Sequence, residues 1–285
     1  QDEVVWQQQL TTQSIDERRV EFEFSVDKLV QEVGAQFASD TKQHIVPLAF
    51  QASINPLADE TETSNNYREF RLAAITDRNK VLLLDGRSRW EPRYLRNAFS
   101  RDEQWQVDTV IAGPGTDEVA LPRGEHKDQF PADRDALFDY DMIVFGEVAP
   151  ELFHEHELEW IKDFVAIRGG GIVFMDGQRG RLKGLTDQSL RSLLPVEWLR
   201  NVASTKTTSL HLTDQGAAHA GLKLALDEQQ NSRFWSELPP PHSFLAVEAL
   251  PDAKTLVEIS VADRRFPAIV TRPFGAGRVL YMAFD

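Results

Sequence analysis

The stretch RGGGIVFMDGQRGRL, residues 168 to 182, decides how this chain is read. A run of glycines feeds a short apolar segment, Ile172 to Met175, and the segment ends in Asp176-Gly177. A buried strand of an α/β sheet delivers a residue to the carboxyl edge of the sheet in this way, and that edge is where open α/β sheets bind ligands. The delivered residue here is an aspartate, in a chain without a single cysteine.

The same style extends outward from this block. VLLLD (81–85) and DMIVFGEV (141–148) are continuous apolar runs of the kind buried on both faces. Between the first run and the next strand, WQVDTVIA (105–112), Ser88 and Glu91 suit a capping box and Pro92 a first helical turn. Tyr94, Leu95, Ala98 and Phe99 then fall on one helical face. A second helix is expected over HEHELEWIKDFVAIR, with Leu158, Ile161, Phe164 and Val165 inward and Gly169 to Gly171 as its stop. Strands alternating with helices predict βαβ units around a parallel sheet, of flavodoxin-like form, over residues 79–198. Beyond Trp198 the short strands TSLHLT, KTLVEISVA, FPAIVTRPF and RVLYMAF predict a β-rich extension, residues 199–285, that completes the α/β domain.

Residues 1–76 follow a different period. Val20, Phe22, Phe24 and Val26 alternate with polar neighbours; Val46, Leu48, Phe50, Ala52 and Ile54 do the same, and Phe70 and Leu72 face inward in a third strand. Period two with one wet face is the mark of antiparallel strands. The segment is therefore expected to be an immunoglobulin-like β-sandwich, whole or partial.

A net charge of −14 speaks against sequence-independent nucleic-acid binding, which needs clustered Lys and Arg. No run reaches the roughly 18–20 apolar residues of a membrane span. Without cysteine there is neither a thiolate nucleophile nor a Cys-based zinc site. The chain, which opens on Gln, reads as a processed product or an excised segment.

VLLLDGRSRWEPRYLRNAF, LFDYDMIVFGEV, ELEWIKDFVAIRGGGIVFMDG and LLPVEW, in that order, resemble the glutamine-amidotransferase-like domain, in a divergent branch found in large bacterial membrane proteins. LHLTDQGAAH, FWSELPP and FGAGRVLYMAFD are similar to that branch too, so the resemblance spans about residues 79–285. Active members carry a Cys at the elbow, which falls here on Asp176 or Gly177, and a His and Glu near the final strand, where RVLYMAFD has neither. The resemblance thus implies a non-catalytic module, an interaction or ligand-sensing part of a larger envelope protein on the periplasmic side. Its partner would be another protein or the remainder of the parent chain, and it implies no cofactor and no resident metal.

Asp85, Glu147 and Asp176 stand at or just beyond the carboxyl ends of predicted parallel strands. With Arg87, Gly177 and Arg179 they make a candidate ligand-binding crevice. Three acids there could hold a hard cation, which makes metal-assisted hydrolysis the rival expectation. The plainer reading takes the Asp-Gly pairs as turn formers, with Arg87, Arg89, Arg93, Arg179 and Arg181 neutralising the acids. A purely structural spacer is the third. His154 and His156, two residues apart on a helix, would not share a face. His211 and His219 are isolated, and the GxG of FGAGRV precedes a strand, so a turn explains it. Trp90, Trp105, Trp160 and Trp198 are expected in the core, and Trp235, beside Pro239 to Pro241, on the surface.

Overall fold

The computed structural model describes residues 4–9, 20, 24–26, 29–30, 45–56, 60–75, 78–187, 189–199, 207–241, 243–261 and 264–284. The chain divides into two compact units, Gln1–Asp77 and Arg78–Asp285.

In the first unit, β1 (Ile45–Ser53) and β2 (Tyr67–Ile75) form an antiparallel pair. Phe50 lies opposite Phe70, their rings stacked at 5.4 Å. Leu48 is buried as expected, but Ile54 and Leu72 are exposed. The predicted strand around Val20 to Val26 lies mostly outside the described residues, and those that are described there carry no strand. A two-stranded sheet is what the described residues hold, and the expected sandwich is not confirmed.

The second unit is a mixed α/β fold. In chain order it contains β3 (Asn79–Asp85), α1 (Trp90–Arg101), β4 (Trp105–Ile111), the short β5 (Arg123–Gly124) and β6 (Phe130–Pro131), and α2 (Arg134–Phe138). Next come β7 (Met142–Phe145), α3 (Glu155–Asp163), β8 (Gly171–Met175), β9 (Val196–Trp198), β10 (Thr207–Leu212) and α4 (Asp214–Ala217). The last elements are α5 (Glu228–Glu237), β11 (Val247–Ala249), β12 (Lys254–Val261), β13 (Arg264–Phe274) and β14 (Gly277–Met282). Eight strands make one open sheet in the order β10-β12-β13-β14-β8-β7-β3-β4. From β14 to β4 all neighbours are parallel; from β10 to β14 all are antiparallel. The C-terminal extension thus enters the sheet itself, with β14 as the strand joining its two halves.

The apolar runs are buried on both faces, as continuous runs should be. Leu82, Leu84, Ile143, Phe145, Ile172 and Phe174 face a large core with Leu158, Ile161, Phe164 and Val165 of the α3 region. Val81, Leu83, Val144 and Met175 face a smaller cluster beneath Leu95 and Phe99 of α1. Near β10 and β12 a third cluster gathers around Trp235.

Three local expectations need correction. Helix α1 is capped by Arg89, not Ser88, and Arg89 makes no side-chain capping bond because its guanidinium turns to Asp85. Trp90 is 63% exposed rather than in the core, stacked on Tyr94 in the next turn. Trp235 is buried rather than on the surface, and its indole N–H donates to the Leu222 carbonyl at 2.9 Å. The stop after α3 lies where it was expected. A π-turn over Phe164–Arg168 ends at Gly169, whose φ of +87° is left-handed. Among the described residues no helix is long and apolar enough to cross a membrane.

Candidate functional site

β3, β7 and β8 are parallel neighbours, so residues at their carboxyl ends converge on one edge of the sheet. Asp85 closes β3, Glu147 stands two residues beyond β7, and Asp176 directly follows β8. All three carboxylates are buried. The close approach is made possible by glycines. A Cβ on Gly146 would collide with Oδ2 of Asp85, and one on Gly177 would lie 2.6 Å from the Glu147 carboxyl carbon. At Gly86 it would meet the Glu147 carbonyl oxygen.

Each acid has its own surroundings. Asp85 accepts from Arg89 Nε at 2.9 Å and from the Arg87 backbone N–H at 3.2 Å. Burial pushes its carboxyl upward, while Arg89 and the Arg87 N–H pull it back, leaving it above the ordinary aspartate value. Among the described residues no cationic side chain bonds to Asp176. Its Oδ2 accepts from the Trp198 indole N–H and the Tyr281 hydroxyl, both at 2.8 Å, and Oδ1 accepts from the Gly177 N–H at 3.1 Å. Burial outweighs these bonds and raises its pKa to about 6. The Tyr281 phenol is in turn pushed well above its usual range by burial and by the carboxylate it faces. Glu147 is fully enclosed, with Arg87 Nη2 at 3.5 Å from Oε2, and neither of its oxygens makes a hydrogen bond.

Three acids therefore share two guanidiniums, and the proton that Asp176 retains to about pH 6 balances the set. Such an arrangement does not suit a hard cation, which needs several carboxylate oxygens turned to one point. Among the described residues no group of three His, Asp or Glu side chains is placed to hold a metal ion. Metal-assisted hydrolysis on Asp85, Glu147 and Asp176 is accordingly set aside.

Beside this closed edge lies an open cavity of about 470 Å³, lined by Pro150, Glu151, Arg179, Gly180, Arg181 and Gly184. A turn closed by the Gly180 N–H donating to the Gly177 carbonyl at 2.9 Å, with Gly180 at φ +58°, sets Arg179 and Arg181 on either side of Gly180. Among the described residues, no ion pair within 4.0 Å involves Arg179, Arg181 or Glu151. The candidate residues thus divide. Asp85, Arg87, Glu147, Asp176 and Gly177 form the enclosed network, and Arg179 lines the cavity.

Glu151, Gly180 and Gly184 were not read from the sequence, nor were Trp198 and Tyr281 as partners of Asp176. Trp198 lies 22 positions from Asp176 and Tyr281 lies 105, so no local pattern links them. His154 and His156 do meet, their rings stacked at 5.4 Å, because His154 is the cap before α3 and not part of the helix. The acid cap that matters there is Glu157. It accepts from the His154 N–H at 2.7 Å and from Arg123 Nη2 at 2.8 Å. Burial pushes its carboxyl up, but Arg123 and the His154 N–H outweigh it and hold it below the ordinary glutamate value.

No protein-family model matches the chain, and no curated protein matches it in sequence. Among solved structures it is similar to a carbohydrate deacetylase (12% identity, TM-score 0.44, covering 73% of this chain and 29% of that one). It is similar also to a GH42 β-galactosidase from G. stearothermophilus (14%, 0.40, 74% and 28%). A third is an exo-β-1,4-mannosidase from an Opitutaceae bacterium (14%, 0.35, 73% and 31%). The chain spans less than a third of the length of each. The resemblance to a glutamine-amidotransferase-like domain is corrected: no family model supports it. The catalytically silent amidotransferase-like module goes with it.

Proposed function

We propose that residues 78–285 recognise a saccharide in the cavity at the carboxyl edge of the sheet. The observation that carries this reading is the lining itself. Glu151, Arg179 and Arg181, all exposed and in no ion pair with one another, line it together with Gly180, Gly184 and Pro150. The wall offers polar and apolar surface in similar measure, as the edges and faces of a sugar ring do. A polyol matches it, since each hydroxyl both donates to a carboxylate and accepts from a guanidinium N–H. The volume falls within the range of small-ligand sites, and the carboxyl edge is where α/β sheets place them. The enclosed network of Asp85, Arg87, Glu147 and Asp176 then serves to fix the turn that carries Arg179 and Arg181.

The test is calorimetric titration of the protein with a panel of neutral and acidic monosaccharides and disaccharides. Turnover of aryl glycosides, followed in parallel samples, separates recognition from bond cleavage. Binding in the millimolar range or tighter, lost in Glu151→Ala and Arg181→Ala with unchanged circular dichroism, is the expected result. A panel that yields neither heat nor a shift in unfolding midpoint removes the reading.

A further inference from the structure

The sign of the cavity refines the ligand, and this inference rests on the saccharide reading above. The chain carries 45 acidic against 31 basic side chains, a net charge of −14. The cavity runs against that trend, with two arginines to one glutamate. Arg179 and Arg181 are both exposed, which leaves their guanidiniums open to a ligand. Neither has a carboxylate within 4.0 Å among the described residues, although Glu151 lines the same cavity. Glu151 Oε1 lies 4.0 Å from where a Gly184 side chain would begin.

We infer that the cavity takes an acidic saccharide, a sugar ring bearing a carboxylate. Its carboxylate occupies the Arg179–Arg181 side, and its ring hydroxyls donate to Glu151. A guanidinium presents parallel N–H donors that match the two oxygens of a carboxylate, a fit that a hydroxymethyl group lacks. Glu151 supplies the acceptor that separates a sugar acid from a bare anion. It disfavours a second negative charge and rewards hydroxyls.

The experiment compares glucuronate with glucose, which differ in a carboxylate against a hydroxymethyl group, and adds inorganic sulfate as the bare anion. Glucuronate should bind at least about tenfold more tightly than glucose, and its affinity should fall as salt is raised. Arg181→Gln should cost glucuronate about tenfold. Arg179→Gln should do likewise, and should weaken glucose by a smaller factor than glucuronate. Equal binding of glucose and glucuronate overturns the inference while leaving the saccharide reading intact. Sulfate binding as tightly as glucuronate, unaffected by Glu151→Gln, overturns it in favour of a plain anion site. Binding of none of the three overturns both. Unfolding midpoints of each variant, kept within a degree or two of the wild type, exclude misfolding as the cause.

Discussion

Asp176 is the residue on which the carboxyl edge turns. In the folded chain it holds its proton to about pH 6, against 3.8 for an ordinary aspartate. The folded state therefore binds this proton more tightly than the unfolded one. Its contribution to stability is full below about pH 4 and is lost as pH rises to about 6, by up to about 3 kcal/mol. Asp176→Asn removes that loss. Urea denaturation at pH 4.5 and pH 8 should show the variant gaining on the wild type at the higher pH; an equal difference at both pH values would refute the assignment. The glycines give the complementary test. Gly177→Ala and Gly146→Ala drive a methyl into the Glu147 and Asp85 carboxylates and should each cost about 1–3 kcal/mol by the same measurement. The position of Asp176 could be read from the sequence, because a strand followed by Asp-Gly is a local pattern. Its indole and phenol partners could not, since tertiary packing alone brings them to it.

At the scale of elements, the continuous apolar runs gave β3, β7 and β8 because burial on both faces leaves no polar alternation. Caps were less readable. Ser88 and Glu91 have the spacing of a capping box, but the Asp85–Arg89 ion pair decides where α1 starts. The α3 region carries two predictions. Gly169→Ala places a side chain at φ +87° and should cost about 1 kcal/mol in thermal or chemical unfolding. Arg123→Met strands Glu157, which is buried although Arg123 itself is partly exposed. That exposure moderates the loss to about 2 kcal/mol, with the stability of the variant recovering as pH falls and Glu157 takes a proton.

For the whole molecule, the sheet, its three apolar clusters and the cavity all lie within residues 78–285. That span expressed alone should unfold in one cooperative transition, observed identically by far-ultraviolet circular dichroism and tryptophan fluorescence. Non-coincident curves would show that the unit needs more of the chain. The fold class was readable because strand–helix alternation is a coarse, repeated signal. The family was misread for the same reason: apolar runs that end in Asp-Gly, with helices between them, describe any parallel α/β sheet, whatever it binds.

The position of β14 has a further consequence. It lies between β8 and β13, yet about a hundred residues separate it from β8, which takes a ribosome about 5–20 s to translate. Through that interval the edge of β8 waits unpaired in the nascent chain, offering a bare strand to any neighbour. A chaperone able to hold an apolar strand edge should therefore raise the yield of this chain most when it acts during synthesis, before Gly277–Met282 has emerged.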